Sequence, residues 1–578
     1  MKDFKTKLAL FCTVLSLITV GQNPLYIPDT LSGTSFSLNV QSGTKQFIGT
    51  NNTPTYGYNG NFLGPTLLIN NGDSITLNVK NFLTQPTTVH WHGFHVAPMN
   101  DGGPHQIIAA SGGTWSPSFK MRNEAATFWY HPHGEGKTEI QITRGLAGMI
   151  IVRDNIEKTY TLPRRYKVDD FPLIVQTRVF DAFYQFTTAT HEDSIVMVNG
   201  TMNPYLQVPK QVVRLRLLNA SSDRTYYFGL SDNSNFHLIA SDGGLLSQPY
   251  QTNRVRLSTG ERAEILVDFN NYTIGQQVYL MSYAAELPYG IIGADTVGTA
   301  AYPMMEGYYS NPLNGLNFNI LRFDVVAQTV NPITTIPTTF APKVPLLEVN
   351  ADAKRRIVFT ADTVTSGQQG KVDGPFFMNN TPFNMDSINI KTLLNNTEVW
   401  TLYNKTLVAH PFHIHDIEFF VLDINGMPPP PQYQGLKDVI LVQPGDSVRF
   451  ITKFTTFADN FVPYMYHCHL LHHEDDGMMG TFLVQDPNSI GIKENTKDLS
   501  LVKAFPNPSA DKITFQIKDP NSFIESVDIL NALSQTVFTR KNISSETFSI
   551  NISGLNDGLY IARIRSGKDL LTIKFLKN

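Results

Sequence analysis

Twelve of the fifteen histidines stand in four short clusters, so the fold has to account for where those clusters meet. His90-Trp91-His92 with His95, and His131-Pro132-His133, lie early in the chain. His410-Pro411-Phe412-His413-Ile414-His415, and His467-Cys468-His469 with His472 and His473, lie late. Each cluster holds a His-x-His, and on a β-strand that spacing puts both imidazoles on one face. Four such pairs from two distant stretches supply eight imidazoles, a number suited to several metal ions gathered at a domain interface. A lone histidine is more often a core or surface residue than a ligand, which is the reading for His191 and His237. His95, His105 and His472 are also read as lying outside the direct ligand set.

The chain has two cysteines, Cys12 and Cys468. Lys2, Lys5 and Lys7 precede the mostly apolar run from Leu8 to Val20, and Gly21 follows, so residues 1–21 read as an export signal peptide. The run is short for a transmembrane helix and no later stretch approaches the needed length. With Cys12 removed in the signal, the exported chain keeps one thiol and forms no internal disulfide. Such a thiol in an oxidising compartment requires protection or ligation. Cys468, His410, His473 and the thioether of Met478 make the His2Cys-plus-Met set of a blue-copper electron-transfer centre, and the all-imidazole groups also suit copper. Zinc is the rival, but structural zinc sites do not need so many ligands and catalytic ones take about three. On a strand, Cys468 points one way while His467 and His469 point the other. A metal on the thiolate side is then wired through adjacent residues to metals on the imidazole side.

At 578 residues the chain is too long for one core and reads as roughly three or four domains. Its Gly, Pro, Phe and Tyr content leans toward all-β architecture. The formal charge of −4 becomes −6 without residues 1–21, and neither value points to a nucleic acid or a polybasic membrane contact. Runs rich in Val, Ile, Thr, Phe and Tyr recur between Gly, Pro, Asn and Asp turns, as in sandwiches. Examples are Ser74–Val79, Ala147–Val152, Val212–Leu218, Ala263–Val267, Val399–Tyr403 and Ser447–Thr452. Punctuation divides the chain into blocks 24–156, 160–327 and 346–487, with a Thr- and Pro-rich linker at 330–345. A polar joint at 488–499 precedes a small strand-rich module at 500–578.

At His90-Trp-His-Gly, His131-Pro-His-Gly, His410-Pro-Phe-His-Ile-His and His467-Cys-His-Leu-Leu-His-His-Glu-Asp-Asp-Gly-Met-Met, the sequence resembles the three-domain multicopper oxidases, laccases among them. The middle block resembles their ligand-free spacer domain through Met197-Val-Asn-Gly, Arg214-Leu-Arg-Leu-Leu-Asn-Ala and Gly260-Glu-Arg-Ala-Glu-Ile-Leu-Val. The resemblance implies three cupredoxin-like β-sandwiches and four copper ions. One type 1 copper would be held by His410, Cys468, His473 and Met478, and one type 2 copper by His90 and His413. The type 3 pair would be held by His92, His131, His133, His415, His467 and His469. Met479 is the weaker axial choice, because the family places that ligand ten residues after the cysteine. Asp101, in Asp-Gly-Gly-Pro, and Glu474, after His473, match acids that assist proton delivery, with ligand-orienting hydrogen bonds as the alternative duty.

The implied activity is one-electron oxidation of small reducing substrates coupled to reduction of O2 to water. Cuprous oxidases of this family carry an Asp and a Met where this chain has Thr406 and Val408, and Met304-Met305 is only a faint echo of their Met-rich insertion. Phenols and aromatic amines are therefore the expected substrates. A metallo-oxidase acting on Cu(I), Mn(II) or Fe(II) for metal tolerance, and a non-catalytic copper-binding protein, are the alternatives. The tail resembles the C-terminal sorting domain of type IX secretion through Ala504-Phe-Pro-Asn-Pro, Ser553-Gly-Leu-Asn-Asp-Gly-Leu-Tyr and the final Lys574-Phe-Leu-Lys-Asn. A small C-terminal β-sandwich and export to the cell surface or beyond follow from it. The periplasm is the expected location if the tail is instead a binding module.

Overall fold

The computed structural model describes residues 21–578 except 189, 298–304, 310, 362–370, 488–501, 519–521, 533–534 and 568. The stretch expected to be a signal peptide up to residue 20, Met304 and the polar joint at 488–499 lie outside the described residues. The six runs singled out above are strands Ser74–Asn81, Gly148–Arg153, Val212–Asn219, Arg262–Asp268, Thr397–Asn404 and Ser447–Lys453. In the first of them Ile75, Leu77 and Val79 are buried while their neighbours are not, the signature of one face on a core. Among the described residues α-helix is limited to Thr138–Thr143 and Leu471–Asp475, and the protein is all-β. No helix among the described residues is long and apolar enough to cross a membrane.

The chain forms two compact units, Met1–Asp486 and Pro487–Asn578. The first contains three sandwiches. In one, a sheet ordered Thr30–Ser32, Thr66–Asn70, Gly148–Arg153, Thr127–His131, His90–His92 packs on a second sheet through Leu38, Leu77, Trp91, Phe128 and Tyr130. The second sandwich closes a seven-stranded on a six-stranded sheet around Leu215, Phe228, Ile265 and Phe323. The third closes a six-stranded on a five-stranded sheet around Trp400, Phe412, Phe450, Phe482 and Cys468. The second unit is a small sandwich of three- and four-stranded sheets around Phe515, Val527 and Phe575.

Two segments behave in ways the sequence blocks do not convey. The strand Asn23–Pro24 pairs in parallel with Pro204–Tyr205 of the second sandwich, and Leu25 and Ile27 pack on that sandwich's core. The linker from Val330 to Pro345 is extended, yet it docks on the second sandwich. Ile333 accepts a backbone hydrogen bond from Val212, and Phe340 is buried against Leu162 and Ile239.

Five arginines, Arg178, Arg214, Arg216, Arg224 and Arg262, are among the largest fully buried side chains. Burial of a guanidinium is costly unless it is paired and hydrogen-bonded. Arg214 reaches Glu157 at 2.7 Å and is forked on Glu264, while Arg216 reaches Glu264 at 2.6 Å, Asp170 at 2.7 Å and Thr127 at 2.9 Å. The network crosses from the first sandwich to the second. Burial pushes the Glu157 carboxyl up, but Arg214 and Arg153 outweigh it and hold it down at about 2. A folded value below the unfolded one means this stabilisation is present above about pH 4.5 and is lost as pH falls through about 2.

Replacing Arg214 by Leu leaves Glu157 and Glu264 with too few counter-charges, a loss of ~3–5 kcal/mol for a broken buried pair. Arg449→Leu, at an exposed and solvent-screened pair with Glu348 and Asp423, costs far less. Urea unfolding of the two variants should rank them in that order, and equal midpoints would contradict the network's weight.

Candidate metal centre

The antiparallel register of two strands in the third sandwich sorts the ligands by face. In His410–Ile414 and Tyr464–Cys468, Phe412 stands opposite Cys468 and His413 opposite His467. Phe412, Ile414 and Cys468 lie in the interior core. His413, His415, His467 and His469 face out of the sandwich. In the first sandwich, Trp91 and Tyr130 lie in the core, while His90 is paired with His131 and His92 with Trp129 on the outer face. The two outer faces meet. His92 stacks on His413 with ring centroids 3.8 Å apart, and His90 stacks on His415 at 4.0 Å.

Hydrogen bonds donated by Nδ1 aim most of these rings. His90 donates from Nδ1 to the Asp101 carbonyl at 2.9 Å, His413 to the Asp438 carbonyl at 2.9 Å, and His131 to the Pro132 carbonyl at 2.8 Å. His415 donates to Asp101 Oδ2 at 2.7 Å and His467 to the Cys468 carbonyl at 2.9 Å. Their Nε2 lone pairs are thereby turned inward. His92 is reversed: its Nε2 lies 3.2 Å from Asp438 Oδ1, and its Nδ1 lies 3.4 Å from His131 Nε2. The Nε2 atoms of His133, His415 and His467 form a triangle with sides of 3.1, 3.2 and 3.2 Å.

Burial and mutual proximity push the basicity of His92, His131, His413 and His415 well below the ordinary imidazole value, and His133 and His469 down to about 3. Neutral rings with converging lone pairs and no proton between them call for a cation. Metal–imidazole bonds of ~2.0–2.1 Å put ligand nitrogens roughly 3.3 Å apart around a tetrahedral ion, close to the triangle's sides. The buried Nε2 atoms of His90 and His413, and both ring nitrogens of His469, have no hydrogen-bond partner among the described residues. The donor set fits metal ions.

On the inner face, Cys468 Sγ lies 3.5 Å from His410 Nδ1 and 3.7 Å from His473 Nδ1. The far nitrogens of both rings are held, His410 Nε2 by Thr406 Oγ1 at 2.8 Å and His473 Nε2 by the Val372 carbonyl at 2.9 Å. Both Nδ1 lone pairs therefore face the sulfur. Burial pushes the Cys468 thiol up, so the thiolate forms only beside a cation. Met478 is fully buried in the same core cluster as Cys468, and its carbonyl accepts from the Cys468 N–H at 3.0 Å. Met479 pairs with His467 on the neighbouring strand and is absent from that cluster.

The two sequence-predicted acids touch ligand rings. Asp101 holds His415 through its side chain and His90 through its carbonyl. Glu474 Oε1 lies 3.3 Å from His133 Nδ1, and Oε2 lies 3.2 Å from His467 Nδ1. Burial pushes the Glu474 carboxyl up, but His133 and His467 outweigh it and hold it well below the usual range. Asp475, next in the chain, receives the N–H groups of Thr138 and Glu139 at 2.9 and 3.0 Å, fastening the short helix that follows His133.

Sequence reading missed the second sandwich's part in the site. Arg262 grips both oxygens of Asp438 at 2.6 Å, and Asp438 in turn faces His92 and His413. Thr259 Oγ1 donates to the His469 carbonyl at 2.6 Å. Gly93 and Gly260 have φ of +88° and +81°, and a Cβ on either would lie 2.6 Å from Asp438 or 2.8 Å from His469. Only glycine fits there. The sole sequence signal was charge inside a strand otherwise apolar, Arg262 to Val267. Of the histidines set aside, His105 is exposed, His237 is half-buried in the second sandwich, and His95 lies 2.9 Å from Asp416. His191 and His472 each approach Asp373.

Known proteins resemble this chain in sequence and fold. Multicopper oxidase family models match residues 39–157, 168–303 and 323–488, and a secretion system C-terminal sorting domain model matches 503–578. The multicopper oxidase mco of Staphylococcus haemolyticus is 32% identical over 480 residues, covering 80% of this chain and 93% of that protein. The cell division protein FtsP of Dickeya dadantii is 30% identical over 484 residues, covering 81% and 94%. The solved structure of the laccase-like multicopper oxidase CueO from Ochrobactrum sp., which has oxidase activity towards lignin model compounds, superposes with a TM-score of 0.69. It is 32% identical, covering 80% of this chain and all of that one. Copper is thus the cation that the family implies for the donor set. The chain belongs to the multicopper oxidase family, and its tail is a secretion system C-terminal sorting domain.

Proposed function

We propose that the protein oxidises phenols and aromatic amines one electron at a time and reduces O2 to water. One observation carries this reading: Cys468 belongs to the interior core while its chain neighbours His467 and His469 face the imidazole array. His410, Cys468, His473 and Met478 would hold type 1 copper. His90 and His413 would hold type 2, and His92, His131, His133, His415, His467 and His469 the type 3 pair. When bound, the four coppers supply the electron uptake and the four-electron reduction, O2 + 4 H⁺ + 4 e⁻ → 2 H2O. The protein's own part is positional and protonic. Thr406 and Val372 turn His410 and His473 toward the sulfur, and burial keeps water from the thiolate. Asp101 and Glu474 orient ligand rings from either side of the array and stand where protons must arrive.

A second reading, oxidation of metal ions, gains support from the approach of His191 and His472 to Asp373 beside His473. A third reading is a non-catalytic copper-binding protein, and O2 uptake by the copper-loaded protein separates it from an oxidase. The tail is proposed to direct the exported enzyme through type IX machinery to the cell surface or medium.

Copper-loaded protein should hold four coppers per chain, show an intense blue band and take up O2 with a phenol. A colourless protein sinks the reading. Cys468→Ser should abolish the blue band and phenol oxidation while retaining the other three coppers. Glu474→Gln should slow reoxidation by O2 about tenfold or more with a far smaller effect on type 1 reduction. Stopped-flow decay and recovery of the blue band measures both, and equal slowing would contradict the proton role. Mass spectrometry of the extracellular enzyme should find the tail removed; an intact tail on most molecules argues against a cleaved sorting signal.

A further inference from the structure

The first sandwich repeats, with an indole, the arrangement that the third builds with a thiolate. In the strand His90–His92, Trp91 turns into the core while His90 and His92 face the imidazole array, as Cys468 turns inward between His467 and His469. Trp91 is fully buried, and its ring nitrogen has no hydrogen-bond partner among the described residues. Beyond it stands Trp115, on the strand Thr114–Trp115 that pairs with Ser74–Asn81. The two indoles are stacked, with ring centroids 6.0 Å apart and planes 11° from parallel. Trp115 packs on the same core but is only half-buried, so this pair of rings runs from the array to solvent.

The other aromatic rings beside the array offer no such passage. Trp129 stacks on His131 at 4.1 Å, but its ring neighbours among the described residues are the imidazoles of His92, His131 and His469. Tyr130 lies 6.1 Å from Trp91 and leads to Tyr58 at 4.9 Å. A tyrosine gives up an electron readily when its phenolic proton can leave with it. The Tyr130 hydroxyl donates to the Pro65 carbonyl at 2.8 Å, a group too weakly basic to take that proton, and the Tyr58 hydroxyl is buried without a partner. An indole can lose an electron and keep its proton, so the unpartnered nitrogen of Trp91 does not stand in the way.

We propose that Trp91 and Trp115 form a second electron route, through which an O2 site short of one electron draws it from a small aromatic donor at the surface of the first sandwich. This rests on the oxidase reading above. Trp91 loses one electron to the array and is left as a radical cation. Trp115 refills Trp91, and the donor refills Trp115, ArOH → ArO• + H⁺ + e⁻, with the proton going to solvent. Electrons entering by either route meet the same balance: 4 ArOH + O2 → 4 ArO• + 2 H2O. Without the two indoles, the missing electron would come from the buried side chains around the array.

The Cys468→Ser protein, loaded with the remaining three coppers and reduced, holds three electrons where O2 needs four. Freeze-quench electron paramagnetic resonance after mixing it with O2 should show an organic radical whose lines narrow when the tryptophans are ring-deuterated. A tyrosine signal, or no organic radical, overturns the route. The four-copper enzyme supplies a second measurement. After turnover on limiting phenol, peptide mapping by mass spectrometry should find oxidised Trp115. Trp115→Phe, which keeps a ring on the core, should lose that product and gain oxidised Trp91. An absence of oxidised Trp115 in the wild-type enzyme, or unchanged oxidation at Trp91 in the variant, overturns the route. If wild-type enzyme takes up no O2 with a phenol, the oxidase reading fails and the route with it, whereas O2 uptake without an indole radical sinks the route alone.

Discussion

Everything at the metal centre depends on the alternation of a single strand. Side chains on a pleated strand leave by opposite faces, and His467, Cys468 and His469 use that rule across the wall of the third sandwich. The sulfur goes into an apolar interior that suits a soft ligand and excludes water. The imidazoles go to an outer face that only another domain can close. Because His413 is in register with His467, the neighbouring strand repeats the division, with Phe412 inside and His413 outside. A slip of one residue in that register would exchange the two sets.

The ligand-free sandwich contributes rigidity to the site. Imidazoles crowded at 3.1–3.2 Å do not hold their positions unaided. Arg262 fixes Asp438, and Asp438 restrains one histidine from each ligand-bearing sandwich. A buried pair of this kind adds little net stability over an apolar substitute. Its value here is directional: two carboxylate oxygens set by a rigid fork cannot rotate away from the rings they face. The same sandwich holds the His469 carbonyl through Thr259 and, through Arg178, the last carbonyls of the helix beyond His133.

Much of this was legible in the sequence because it is local. The His-x-His spacing, the alternation in Ser74–Asn81 and the position of Cys468 are properties of neighbouring residues, and the all-β fold follows from repeating such patterns. What escaped reading depends on contacts far apart in the chain. Nothing near Asp438 tells that Arg262 will hold it, and nothing near His191 points to Asp373 and His472. Thr406 was legible only as a departure from Cu(I) oxidases. Its hydrogen bond to His410 gives it a duty of its own. Composition marked the segment at 330–345 as extended, but not that Phe340 anchors it to the second sandwich.

The division of ligands between sandwiches also sets the order in which the centre can fail. His410, Cys468, His473 and Met478 all belong to the third sandwich, whereas the imidazole array draws four histidines from the first and four from the third. If the first and third sandwiches part, the array loses half its donors and the thiolate site loses none. On the proposed copper assignment, such a molecule would keep its colour and still accept an electron, yet have nowhere to send it.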